Sequence, residues 1–245
     1  MLVLNRRGFG ANKYVQTLKT LDTVSAPLQL EPITPLALQI TYLRAVIYHG
    51  TNDLYTAQYL YTAVYSSLPI DSELAIIARL NCILILRRHN PNEAENLMYP
   101  LERLCLNHKN DLIHAAYKAV KATEHGELVK TKNYLSDALR LASKAGNIQL
   151  TFIVLNFMCH RFFAGVVSEQ AEKSAKAAMQ NAKRGRDKLW TLMGGQMYAD
   201  CLARKGNDIE ASRQRIMNDE ARAEVVRNLT RYLPAQQGDG EQMQM

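Results

Sequence analysis

The sequence predicts an all-α solenoid of about five helical hairpins, and three observations carry that reading. No proline interrupts the chain between Pro100 and Pro234, so the residue most hostile to helices is missing from more than half its length. Glycines fall where apolar helical periodicity stops, at Gly50, Gly126, Gly146, Gly165, Gly185 and Gly206, as left-handed caps or tight helix connections require. Hairpins that begin near Ile40, Ala75, His114, Gln149 and Leu189 recur every ~35 to 40 residues, the spacing of stacked helical repeats.

The elements follow in order. The first helix spans Pro35–His49 and stops at Gly50; the second is Asp53–Ser66. Asp71 and Ser72 supply a start signal for Ser72–His89, and Asn90 caps Pro91–Asn107 with proline at the first helical position. Pro100 lies inside that fourth helix, where it removes a hydrogen bond and should kink the axis. Leu112–His125, Leu128–Lys144, Asn147–Phe163, Val167–Arg184, Asp187–Lys205 and Asp208–Tyr232 complete the set. The two most apolar stretches, Leu74–Leu86 and Leu150–Val167, are broken by Arg79 and by His160 and Arg161, so they are helices buried on several sides rather than membrane spans.

Several second helices open on a glycine and hold small or apolar residues at fixed offsets. These are Gly126, Leu128, Thr131, Leu135 and Ala138, then Gly165, Val167, Gln170, Ser174 and Ala177, then Gly206 and Ala211; Gly50, Leu54, Ala57 and Tyr61 follow with one extra residue. Small side chains there let paired helices approach closely, so tryptophan at Ala138 or Ala177 should overpack the fold. The pattern resembles diverged tetratricopeptide repeats, which implies a right-handed superhelix; the hairpin of residues 72–108 departs from it in lacking a central glycine. Residues 1–34 are expected to form a helix and a proline-containing connector, residues 35–232 the solenoid, and residues 233–245 a disordered polar tail.

Of the 245 residues, 47% are hydrophobic and 22% charged, which excludes collagen-like, disulfide-scaffold and low-complexity classes. Cys82, Cys105, Cys159 and Cys201 are far apart and form no C-x-x-C pair, so they read as buried thiols in a reducing compartment. The six histidines sit mostly at helix ends, where a partly charged imidazole favours the C-terminal dipole. Arg6, Arg7, Lys13 and Lys19 precede the first acid, but the stretch is too poor in serine for a mitochondrial transit peptide. Metalloprotease, phosphate-loop, nucleophile-elbow and dinucleotide signatures are missing, so the reading is a non-enzyme without cofactor or metal. Gly194 and Gly195 lie within a helical pattern and point to close helix packing.

Charge and aromatic patterning supply the binding candidates. The chain carries a net charge of +7, and from Lys173 onward 13 basic residues face 9 acidic ones. Lys183, Arg184, Arg186 and Lys188 form the densest basic patch, readable as an ordinary solvated face, as a contact for an acidic partner or nucleic acid, or as a weak nuclear-import signal. Tyr55 and Tyr59 form a stripe beside the core line Leu54, Ala57, Tyr61 and Val64, and serve either as core or as an exposed recognition face.

Two stretches, Ala115–Gly165 and Lys188–Ala211, resemble the tetratricopeptide subunit of the cohesin loading complex in a fungal form. In the second, Leu189 and Trp190 open a helix that closes on Gly206, Asn207 and Ala211, and the likeness extends more weakly back to about Pro35. Members of that family are usually longer, so the chain corresponds to their C-terminal portion with an unrelated or truncated start. The resemblance implies a nuclear, non-catalytic scaffold in sister-chromatid cohesion. Its partners would be the large helical-repeat cohesin loader, cohesin indirectly, and a chromatin receptor; direct nucleic-acid binding is favoured only by the basic C-terminal helices and opposed by the lack of any motif, and no membrane contact is expected. A generic tetratricopeptide adaptor of another complex is the alternative.

Overall fold

The computed structural model describes residues 34–50, 52–124, 127–163 and 167–230, together with Thr23. The N-terminal helix and connector and the C-terminal tail expected from sequence lie outside them, apart from Thr23 and Thr34.

Ten helices and no strand occur among the described residues. They are α1 (Pro35–Gly50), α2 (Leu54–Ser66), α3 (Glu73–His89), α4 (Pro91–Leu106), α5 (Asp111–Lys121), α6 (Leu128–Lys144), α7 (Ile148–Met158), α8 (Glu169–Arg184), α9 (Lys188–Arg204) and α10 (Asp208–Thr230). A π turn, Cys159–Phe163, extends α7. Polar side chains start most of them: Asp53, Ser72, Asn90, Asn110, Asn147, Ser168 and Asp187 each accept a hydrogen bond from an otherwise orphaned backbone N–H. Asn90 alone separates α3 from α4, ending one and capping the other, which is how this hairpin dispenses with a glycine. The fourth helix runs through Pro100 on its exposed side.

Each helix packs on its neighbours in sequence, and the odd-numbered helices α3, α5, α7 and α9 also pack on one another in succession. Asn81 of α3 links α1 to this layer, its Nδ2 donating to the Tyr42 hydroxyl at 3.4 Å. The arrangement is all-helical and consistent with an α-solenoid. One apolar core runs from α1 to α7, built on large side chains such as Tyr61, Ile76, Leu80, Leu101 and Leu135. A smaller one joins Cys159 and Cys201 to the alanines of α8.

The even helices repeat one buried position. Ala57, Ala94, Thr131, Ala171 and Ala211 are all buried and stand at intervals of 37, 37, 40 and 40 residues. Behind them lie Tyr61 and Val64, Met98 and Leu101, and Leu135 and Ala138, a small-then-large pattern at helical spacing. In α8 the buried line is Ala171, Ala175, Ala178 and Ala182, one residue later than Gln170, Ser174 and Ala177 as the sequence offsets placed it. The interval from the glycine to the first buried position is six residues here, Gly165 to Ala171, against five from Gly126 to Thr131 and from Gly206 to Ala211, and the register moves by one. Leu128 and Val167 are 57% and 59% exposed, so neither belongs to the core either.

Gly126 and Gly165 lie outside the described residues, and the glycine stops within them divide into two kinds. Gly146 and Gly206 adopt left-handed backbone, φ +65° and +78°. Gly185 does not; the left-handed residue of its connection is Arg186, φ 56°, and near Gly50 it is Asn52, φ 68°. Gly185 instead makes room for Phe152 of α7, whose ring carbon would lie 3.0 Å from an added Cβ. A side chain costs about 1 kcal/mol in the left-handed region, so Arg186→Gly should raise stability by roughly 0.5–1 kcal/mol and Gly146→Ala should lower it by about as much. Urea midpoints of the two variants check both signs. Gly194 and Gly195 sit at helix crossings: a Cβ on Gly194 would come within 2.8 Å of the Met179 backbone nitrogen, and one on Gly195 within 2.4 Å of Asn218 Oδ1.

All four cysteines are free and buried. Burial pushes the Cys105 and Cys159 thiols up to about 12 and Cys82 to about 11, so they are inert at neutral pH. His49 does not match the partly charged imidazole expected at a helix end. Burial, aided by the positive charge of Arg88, pushes its pKa down to about 3. The neutral ring stacks edge-on against Tyr61, with Nδ1 3.5 Å from the hydroxyl.

Candidate peptide-binding groove

The layer of odd-numbered helices carries an apolar groove of about 510 Å³. Its floor is Val120 of α5 and Val154 of α7, each 1% exposed. One bank is formed by Leu84 of α3, Ala119 of α5 and Thr123 in the turn that follows it. Ile153, Phe157 and His160 rise from α7 and its π turn, and Trp190, Met193 and Met197 form the opposite bank on α9, with Arg222 of α10 at its edge.

Local sequence explains how these side chains come together. On α7, Ile153, Phe157 and His160 follow one another at helical spacing, as Trp190, Met193 and Met197 do on α9. Asp187 fixes the start of α9 by accepting from Trp190 N at 3.1 Å. The Trp190 ring then packs on Phe152, centroids 6.0 Å apart. Gly194, on the far side of α9, lets that helix press against α8, which sets the depth of the bank.

One polar group interrupts the apolar surface. Asn156 is 2% exposed; its Nδ2 donates to Phe152 O at 2.9 Å, while Oδ1 accepts no hydrogen bond. Asn156 occupies the ninth position after its N-cap, as do Asn81, Ala119 and Gln196 in the other odd helices. Asn81 makes the same turn back to the carbonyl four residues earlier, Ile77 O at 3.1 Å, and in addition reaches Tyr42. No acidic side chain lines the groove. Among the described residues no cluster of three His, Cys, Asp or Glu could hold a metal, and no helix is long and apolar enough to cross a membrane.

None of the binding candidates read from sequence lines this groove, although Trp190, which the family likeness placed at the start of a helix, does. Tyr55 and Tyr59 are 86% and 69% exposed on α2, away from the buried Ala57, Tyr61 and Val64. Lys183, Arg184 and Arg186 are exposed at the turn between α8 and α9, and Lys188 pairs with Glu224 of α10. The groove residues themselves were hidden in sequence, because apolar stripes on α7 and α9 read as core; a second apolar line on helices that already bury another face is the signal that could have found them.

The comparisons with known proteins bear on the whole layer. No curated protein and no solved structure matches the chain significantly. The family model described as cohesin loading factor matches residues 8–209. That range takes in every helix of the groove except nearly all of α10, and it reaches back past Pro35, so of the unrelated or truncated start expected from sequence, residues 8–34 lie within the match and are not unrelated to the family. A match over most of the chain, on the helices that build the groove, means that this protein belongs to the cohesin loading factor family.

Proposed function

We propose that the protein is a non-catalytic adaptor subunit of the cohesin loading complex, a right-handed tetratricopeptide-like solenoid of about five hairpins that binds an extended segment of the large loader. The observation that carries this reading is the groove across α3, α5, α7 and α9, because successive helices of one layer present a continuous apolar track to an extended chain. Family membership supports a role in cohesin loading and, with it, a place in the nucleus and on chromatin. Residues 35–232 constitute the solenoid in this reading, flanked by an N-terminal segment and a C-terminal tail. Tyr55 and Tyr59 on α2 and the turn Lys183, Arg184 and Arg186, with Lys188, are outward faces available to a chromatin receptor.

Affinity purification of the tagged chain at native level, with mass spectrometry of what accompanies it, tests the proposal. A large helical-repeat loader, with cohesin subunits in lower amount, is the expected result. Recovery of a different complex without them would sink the loading role and leave a generic adaptor.

A further inference from the structure

We infer that the groove selects a segment in which apolar side chains are flanked by acidic ones, and that Asn156 receives a hydrogen bond from that segment. This rests on the adaptor reading of the same groove and adds what the bound segment must look like.

Three features of the groove converge on that chemistry. Phe157, Trp190, Met193 and Met197 offer an apolar wall whose methionines adapt to the shape of an inserted side chain. Met193 is 45% exposed, a large apolar surface left facing water in the absence of a ligand. The charged residue at the edge is Arg222, which is exposed, and no acid accompanies it in the lining, so an acidic side chain next to the apolar one finds a complementary charge. Asn156 adds direction: its Oδ1 is buried without a donor, a cost that an N–H of an incoming chain would remove. The equivalent Asn81 already has Tyr42 beside it, so the opening for a ligand lies at α7 and not at α3. The π turn Cys159–Phe163, a distortion concentrated at functional sites, carries His160 into the lining.

Trp190 is the single tryptophan of the chain and stands in the groove wall, so its fluorescence reports occupancy. The full chain is titrated with three short synthetic peptides: two leucines flanked by glutamates, the same leucines flanked by lysines, and serines in place of the leucines between glutamates. The first is expected to shift Trp190 emission saturably and to bind at least about tenfold more tightly than the others, a difference of ~1.4 kcal/mol. Arg222→Glu should remove or reverse the preference for glutamate, and Met193→Glu should abolish binding. Asn156→Leu should weaken binding several-fold without lowering the melting temperature, an outcome that a purely structural asparagine would not give. Equal responses to all three peptides, or no saturable response, would overturn the inference. Co-purification separates it from the reading beneath it. If the loader accompanies the wild-type chain and Met193→Glu equally, the groove chemistry is wrong and the adaptor role stands; if it accompanies neither, the adaptor role falls while the peptide titration still decides the groove.

Discussion

Ala178→Trp is expected to destabilise the protein by about 3 kcal/mol or more, whereas Ala177→Trp, one residue earlier, should cost far less. Ala178 is fully buried and Ala177 only partly so. Next to Ala178, the backbone of Met179 leaves no room for even a methyl group on Gly194 of α9. An indole in such an interface has to push α8 and α9 apart, and the loss of contact is felt along both helices because interiors are packed as densely as crystals. Ala138→Trp on α6, at the equivalent fully buried position, should behave like Ala178→Trp. Urea unfolding monitored by circular dichroism would give the three midpoints. Equal effects at 177 and 178 would mean that the register of α8 is not the one described.

The second large effect has the opposite sign. Gln149→Leu is expected to stabilise the fold by roughly 1–2 kcal/mol, since a buried amide without partners forfeits its bonds to water and gains none in exchange. Gln149 is 4% exposed, and neither its Nε2 nor its Oε1 has a hydrogen-bond partner. It stands two residues after the N-cap Asn147, and the same position after Ser72, Asn110 and Asp187 is leucine: Leu74, Leu112 and Leu189. The position is thus leucine in three repeats, half-buried at Leu74 and Leu112, and a buried polar side chain of similar size in the fourth. A lower urea midpoint for Gln149→Leu would show that the amide is paired in solution.

Both variants turn on details that differ in how far the sequence revealed them. Helix positions were legible because most starts carry a side-chain acceptor, as at Ser72 and Asn90, and because Gly146 and Gly206 sit at left-handed stops. The register of α8 was not legible, because Gln170, Ser174 and Ala177 and Ala171, Ala175 and Ala178 are both small-residue lines at helical spacing, and only packing chooses between them. Arg186 escaped notice because a glycine immediately before it seemed to do the same work. The groove escaped for a different reason. Its banks come from α3, α5, α7, α9 and α10, and a surface made by helices distant in sequence exists only once their stacking is known. The exposed tyrosines and basic turn were conspicuous in sequence because each lies within a single short segment.

The alanine interface of α8 also sets the mechanics of the molecule. Between α1 and α7 the layers are bonded by tyrosine, isoleucine and leucine side chains, whereas α8 meets its neighbours through four alanines, each withdrawing few methylenes from water. In a solenoid whose stability is a sum of nearest-neighbour terms, the half from α1 to α7 then gains more from burial than the half beyond it. The boundary falls along the groove: the α3 and α5 bank belongs to the first half, and the α9 and α10 bank to the second. Local opening should therefore reach the second bank before the first, and amide hydrogen exchange faster in α9 than in α5 is the expected record of that order.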